Sequence, residues 1–438
     1  MWVAMNIDQR GINNQYLELL TGAEACRLLG IKRQTLYAYV SRGLLQSEPK
    51  GGPTREHLYR REDIERLKAR HDARSGHGAV AASALRWGEP VLESAITSVS
   101  KGELRYRGKS AVELARGGTS IESVADLLWQ CEGQGEQASA SKIARAKHSE
   151  ELRGLRMSAL AALLPPKTPA LGVLPLVAAV LGARDPDRYL APDHSEIPRA
   201  RALIHCLAAA LGLGHDPLLM PIALRQKSIA EAVLAGLGAR ITKASTALVN
   251  AALVLCADHE LNASTFAVRV TASTGADLYA CVGTGLAAVS GPKHGGACDR
   301  IEALVMETAR PENALSVIQA RARRGETIQG FGHPFYPKGD PRGAPLIDMV
   351  SPRASKPGET KNIRLRTLLA LVSAMYARSR ETPSIDTGLV AAAFALGAPP
   401  GTASGLFAIG RSVGWIAHVF EQRKADFLMR PRARYVGP

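Results

Sequence analysis

The sequence predicts a mainly α-helical protein, with a small helix-turn-helix unit ahead of a larger helical body. Three observations predict it. Aromatic residues make up only 5% of the 438 residues, while Ala, Leu and Gly are abundant. That mix suits close helix packing better than a β-sandwich. Helix starts, apolar residues at helical spacing and glycine stops recur from Ser120 to Gly291. Leu20 to Leu45 holds two short helical patterns around a glycine.

Taken in order, residues 1–16 are polar and read as a loose N-terminal segment. Thr21 and Glu24 form the T-x-x-E signature of a capped helix start. Ala25, Leu28 and Leu29 follow, and Gly30 reads as the stop. A second, more polar helix is expected from Lys32 to Arg42, with Gly43 ending it. Tyr59 to Ile64 reads as a wing, and a basic helix follows to Arg70. This stretch resembles the winged helix-turn-helix of excisionase and mercury-resistance-type regulators. The resemblance implies a DNA-binding-like domain over 17–70, with Arg33, Gln34, Thr35, Tyr37 and Arg42 as candidate DNA contacts. The plainer reading is a helical module kept for interaction or solubility. Residues 71–84, rich in Gly, Ser and His at their start, read as a linker.

In the body, Ile96 to Gly108 alternates around Gly102 and predicts a β-hairpin. Ser120 opens a helix with apolar Ile121, Val124, Leu127 and Leu128, and Gly133 reads as its stop. The run from Lys243 to Glu260 is apolar on nearly every side and predicts a central buried helix. The next two helical patterns, up to Ser290, are rich in small residues. Gly296 to Ala309 reads as a helix, Gly330 to Leu346 as a loop, and Ser351 to Asn362 as polar. Further helices are expected from Ile363 to Arg378, from Thr387 to Leu396, and through Gly410 to Gln422.

Composition narrows the function. Net charge is +15 and the isoelectric point near 9.7. Residues 1–78 carry +4 of this and the rest of the chain +11. DNA contact alone therefore leaves most of the charge unexplained, and an anionic small-molecule ligand suits the remainder. Cys26, Cys131, Cys206, Cys256, Cys281 and Cys298 show no CxxC and no metal-ligand spacing with histidine. They read as buried apolar residues in a reducing compartment, so no metal is expected. Ser158 to Gly182 is apolar but broken by Pro165, Pro166, Lys167, Pro169 and Pro175, a poor membrane span. No membrane partner and a cytoplasmic location are expected. Asn262-Ala263-Ser264 matches a glycosylation sequon, to which nothing else adds weight.

The chemistry centres on Ser290 to Ile301, where His294 sits between a Gly-Pro pair and a Gly-Gly pair. Gly295 and Gly296 remove bulk and allow positive φ, so a substrate can approach backbone and imidazole together. His259, Asn262, His333, Asp340, Arg342, Asp386, Arg411 and Arg430 also interrupt small or apolar surroundings. Singly, each has an ordinary reading: His259 as a core histidine, Asp386 as a helix N-cap, Arg411 and Arg430 as solvated charges. Together they suit carbon–carbon bond formation between a thioester and an oxo-acid. A carboxylate removes a proton next to a carbonyl, neutral imidazoles donate hydrogen bonds to developing oxyanions, and arginines hold carboxylates.

The run from Asp258 to Gly296, with GFGH at 330–333, DPR at 340–342, PSID at 383–386 and GRSVGWIAH at 410–418, resembles the citrate synthase family over about residues 85–438. The hairpin GELRYRG and the tail RPRARYVG match it too. The resemblance implies a mainly α, two-domain fold, with a large domain of 85–290 and 389–438 and a small domain of 291–388 that closes on substrate. It implies a homodimer, oxaloacetate and an acyl-CoA as substrates, and acetyl-CoA as a co-substrate with no permanently bound cofactor. His294, His333 and Asp386 take the catalytic positions. His259, Arg342, Arg411 and Arg430 take the oxo-acid positions, Arg430 reaching the partner subunit's site. Gly330, Phe331, Gly332 and Lys338 are the CoA-binding candidates. Two features depart from the family. Pro337 stands where Arg or Lys often meets a CoA phosphate, with Lys338 next to it, and Phe335 stands where a small aliphatic residue is usual. The helix-turn-helix is the second departure. A regulator that senses acyl-CoA or oxo-acid through a synthase-like body is the alternative reading.

Overall fold

A computed structural model describes residues 19–41, 45, 47–49, 57–61, 63–64, 67, 92–130, 157–189, 196–354, 362–431, 435 and 437. The expected loose N-terminal segment and linker, together with Arg42, Gly43, Cys131 and Gly133, lie outside them. The chain divides into two compact units, Met1–Glu93 and Ser94–Pro438.

In the first unit, strand β1 (Leu19–Thr21) leads directly into α1 (Gly22–Leu29) and α2 (Arg33–Ser41). Thr21 and Glu24 cap α1 reciprocally, and Gly30 ends it at φ 66°. Two further strands, β2 (Ser47–Pro49) and β3 (His57–Arg60), pair antiparallel, and β1 joins the other edge of β3. Leu20, Ala25, Leu29, Leu36, Leu45, Tyr59 and Ile64 form the core. Both helices are where the sequence places them, but the wing strands lie earlier than the expected Tyr59–Ile64: β3 ends at Arg60, and Arg61, Asp63 and Ile64 are already helical.

In the second unit, β4 (Thr97–Ser100) and β5 (Glu103–Tyr106) form the expected hairpin, and β6 (Lys109–Ser110) adds a third strand. Helices follow: α3 (Ala111–Arg116), α4 (Ile121–Trp129), α5 (Met157–Ala162), α6 (Ala170–Arg184), α7 (Glu196–Ala209), α8 (Met220–Ala223) and α9 (Ile229–Gly236). Helix α4 ends at Gln130 in the left-handed region, short of the expected Gly133 stop. Then come α10 (Lys243–Cys256), α11 (Ala263–Ser273), α12 (Leu278–Val289), α13 (Ala297–Thr308) and α14 (Ala314–Arg323). The last are α15 (Gly343–Ala354), α16 (Ile363–Ser379), α17 (Ile385–Ala395) and α18 (Thr402–Ala425). Helix α15 takes up the end of the expected loop and the start of the expected polar stretch.

Helices α10 and α18 form the centre. Small residues let their backbones touch: a Cβ on Gly410 would lie 2.7 Å from the Leu253 carbonyl oxygen, and one on Gly414 2.3 Å from that of Ala257. This contact sets the depth at which Arg411 is held. No helix among the described residues is long and apolar enough to cross a membrane.

Candidate active site

His294 lies in the turn between α12 and α13. Its Nε2 is 2.9 Å from Ser264 Oγ. Ser264 opens α11 beside Asn262, whose Oδ1 accepts the Ser264 and Thr265 N–H groups as an N-cap. That same Oδ1 takes the Ser264 hydroxyl hydrogen at 2.7 Å. The Trp415 indole, which can only donate, reaches Ser264 Oγ at 3.2 Å. Ser264 has spent its one hydrogen on Asn262, so the His294 hydrogen in this arrangement sits on Nε2. Trp415 fits because Gly285 faces it: a Cβ there would lie 2.6 Å from the indole.

The glycines after His294 serve a different purpose from the expected one. Gly296 has φ −73°, and neither it nor Gly295 is in the left-handed region. A Cβ on Gly295 would instead lie 2.2 Å from the Val289 carbonyl oxygen, and the Gly295 N–H bonds that oxygen at 3.0 Å. The requirement is close backbone approach.

His259 is buried, and its Nε2 is 2.8 Å from the Tyr336 hydroxyl. The His333 ring lies 5.3 Å from the His259 ring and stacks on Phe335 at 5.8 Å. The Phe335 N–H donates to His333 Nδ1 at 3.2 Å, which leaves the neutral ring's hydrogen on Nε2. Burial, with Arg411 nearby, lowers His294 to about 4. Burial and then Arg342 lower His333 to about 4. His259 is likewise held well down, by burial and then by Arg342 and Arg411. All three rings are neutral near pH 7.

Asp386 is not an N-cap. Ser384 holds that position on α17, and Asp386 lies in the first turn. Its carboxylate takes the Ser384 hydroxyl at Oδ2, 3.2 Å, and faces Cys298 Sγ at Oδ1, 3.6 Å. Burial raises its pKa above the ordinary carboxylate value, against the pull of Arg342. The segment before it is stitched to the Gly330–His333 loop. The Gly330 carbonyl accepts the Ser384 N–H at 2.8 Å and the Thr387 hydroxyl at 2.6 Å, and the Gly332 N–H reaches the Thr382 carbonyl at 3.1 Å.

Two arginines are buried here, Arg342 at 3% and Arg411 at 1% exposure. Arg342 is paired to Asp340 through Nε and Nη2. Arg411 donates Nε–H to the Cys256 carbonyl at 2.8 Å and has no carboxylate partner among the described residues. Its guanidinium sits 4.7 Å over the Phe407 ring, which also meets His294 edge-on at 6.1 Å.

These contacts bring His259, His333 and Arg342 together around Tyr336, and His294 and Arg411 together around Phe407. Asp386 joins them through Cys298, on the helix that follows His294. Arg430 is exposed in the single chain. Of the CoA candidates, Gly330 is buried and bonded into the Asp386 segment, Phe331 bridges to Pro383, and Gly332 is half-buried, while Lys338 and Pro337 are exposed. In the first unit, Arg33, Gln34 and Tyr37 are exposed on α2 and Thr35 is half-buried. No group of three or more His, Cys, Asp or Glu suited to a metal occurs among the described residues.

The citrate synthase C-terminal domain family matches residues 84–432. The chain belongs to the citrate synthase family. It is a citrate synthase-type enzyme, and residues 19–72 match a helix-turn-helix domain family. Among curated relatives, citrate synthase 2 of Bacillus subtilis is 37% identical over 43% of this chain and 50% of its own length. 2-Methylcitrate synthase of Mycobacterium tuberculosis is 30% identical over 78% of this chain and 88% of its own. The citrate synthase of Thermoplasma acidophilum, solved with carboxymethyl coenzyme A and oxaloacetate, superposes with TM-score 0.66 at 25% identity, covering 80% of this chain and 94% of that one. The citrate synthase of Thermotoga maritima gives 0.62 at 26%, with the same coverage.

Sequence reasoning missed Ser264, Trp415, Tyr336, Phe407 and Cys298 at this candidate site. For Ser264 a signal existed. The Asn262-Ala263-Ser264 triplet is an N-cap motif, which the sequon match obscured.

Proposed function

We propose that the chain condenses a short acyl-CoA, acetyl or propionyl, with oxaloacetate to give citrate or 2-methylcitrate and free CoA. The supporting observation is a carboxylate of raised pKa, Asp386, whose segment is bonded to the loop that carries His333 and whose Cys298 partner lies on the helix that follows His294, with His259, His294 and His333 held neutral by burial. Asp386 removes the proton from the carbon next to the thioester carbonyl. His294 hydrogen-bonds the resulting enolate oxygen. With its hydrogen on Nε2 and engaged by Ser264, donation from Nδ1 requires the Ser264 hydroxyl to turn from Asn262 to His294. The enolate carbon attacks the oxaloacetate ketone, whose oxygen takes a proton from His333 Nε2–H. His259, Arg342 and Arg411 hold the oxo-acid, and Arg430 reaches it from the partner subunit of a homodimer. Water then hydrolyses the citryl thioester and releases the CoA thiol. Residues 291–388 act as the small domain that closes on substrate, and Lys338 meets CoA phosphate in place of Pro337.

Thiol release with oxaloacetate and acetyl-, propionyl- or butyryl-CoA tests this reading. At least one acyl-CoA should react, and the Asp386→Ala variant should not. Silence with all three acyl-CoAs overturns it.

A second role is supported by α2, where Arg33, Gln34 and Tyr37 are exposed while Leu36 anchors the helix in the core. This unit binds DNA, and occupancy of the synthase body by acyl-CoA or oxo-acid tunes that binding. Selection from genomic DNA should enrich a sequence. No enrichment, together with a purely nonspecific salt dependence, rejects it.

A further inference from the structure

The carboxylate of Asp386 has two side-chain donors, one on each oxygen. Ser384 Oγ reaches Oδ2 at 3.2 Å from within the same turn. Cys298 Sγ reaches Oδ1 at 3.6 Å from α13, a separate helix, 88 residues away in sequence. Sulfur is large, so 3.6 Å is within reach of an S–H···O hydrogen bond. Oδ1 has no other hydrogen-bond partner among the described residues.

The thiol is placed by the same feature that places His294. Cys298 lies in the first turn of α13, four residues after His294, beyond the glycine whose missing side chain lets the turn close on the Val289 carbonyl. The side chain is 1% exposed. Burial, then the neighbouring Asp386 charge, push the thiol well above its usual value. It stays protonated, and is a donor here rather than a nucleophile.

We propose that Cys298 is a positioning residue for the condensation: its S–H holds Asp386 Oδ1 in place and favours the charged, proton-accepting form of the base. The inference rests on the reading of Asp386 as that base. A thiol suits this duty because its hydrogen bond is weak. It orients the carboxylate while leaving it a stronger base than a full hydroxyl or amide donor would. It also couples the two halves of the site, since any shift of the α13 start moves His294 and the Asp386 partner together.

The test is kcat/KM for acyl-CoA against pH, followed by thiol release at saturating oxaloacetate. Removing a donor to the charged form raises the pKa of the base. The acidic limb of the Cys298→Ala variant should therefore move up by about half a pH unit, as expected for a weak donor. Cys298→Ser restores a donor, and its limb should return to the wild-type position or below it. The KM for oxaloacetate should stay within about twofold in both variants, because neither touches the arginines. Coincident limbs for the Ala and Ser variants would overturn the proposal, since a purely structural role depends on volume alone. If the Ala variant does not fold, the isosteric Cys298→Thr and Cys298→Val pair gives the same readout. Asp386→Asn separates the two levels. A retained rate there defeats the base assignment, whereas its loss with unshifted Cys298 limbs defeats only the role of the thiol.

Discussion

Asp340 grips Arg342 through two parallel hydrogen bonds of 2.8 Å, while Arg411, equally buried, makes no direct ion pair among the described residues and meets buried Asp258 only at longer range. The two arginines are therefore not equivalent. Asp340 also accepts the Ile385 N–H at 3.0 Å, so the same carboxylate ties Arg342 to the start of the helix that carries Asp386. The Arg342 guanidinium overcomes the effect of burial and holds Asp340 below the usual carboxylate range. Arg411, without a direct ion pair among the described residues, can take one from an anionic substrate.

This predicts unequal stability effects. Arg342→Leu leaves Asp340 buried and unpaired, and should destabilise the fold by about 3–5 kcal/mol in urea melts. Arg411→Leu removes a buried cation that has no direct ion pair and meets Asp258 only at longer range, so it should cost the substrate-free fold less than Arg342→Leu does. Its KM for oxaloacetate should rise roughly 10- to 100-fold, the value of a lost charge-assisted pair. An Arg411→Leu variant as destabilised as Arg342→Leu, with unchanged KM, would contradict this.

Ser264 governs which His294 nitrogen carries the hydrogen. Ser264→Ala leaves Nε2 without its partner and Trp415 Nε1–H buried and unpaired. We expect kcat to fall about 10-fold or more, with the KM for oxaloacetate unchanged, as for loss of part of an acid–base catalyst's contribution. Steady-state kinetics at two oxaloacetate concentrations decide it. An effect on KM alone would place Ser264 in substrate binding.

The histidines set the pH dependence of stability. His294 and His333 are lowered to about 4 in the fold, against an unfolded value near 6.5. Below about pH 6.5 the unfolded chain binds protons that the fold refuses, so stability should fall progressively from there toward pH 4. Above pH 6.5 these residues should contribute no slope. Denaturant midpoints at pH 7.5, 6.5 and 5.5 measure the trend, and midpoints that rise on acidification would refute it.

Arg430 is exposed in the single chain and belongs, on this reading, to the partner's site. Arg430→Ala should raise the KM for oxaloacetate. Mixed dimers of Arg430→Ala and Asp386→Ala chains should regain activity, because the Asp386→Ala chain still supplies Arg430 to the other site. Mixtures no more active than the sum of the two separate variants would place Arg430 elsewhere.

What the chain decided by itself was local. Thr21 with Glu24, Gly30, Asn262 and the apolar spacing of α4 act within a few residues of one another, so helix starts, stops and class were legible without a fold. Residue types and motif order also carried the family resemblance and the proposed chemistry, because proton abstraction, oxyanion stabilisation and carboxylate binding each demand particular side chains. Helix α4 stops at Gln130 in the left-handed region, so the local signal at Gly133 misled. Tertiary structure alone decided the rest. Ser264 meets Trp415 across 151 residues, and Cys298 meets Asp386 across 88. Gly295 proved necessary for a carbonyl six residues earlier rather than for its own φ. Hydrogen-bond partners, burial and the pairing of Arg342 but not Arg411 are properties of which surfaces meet. No spacing along the chain encodes them.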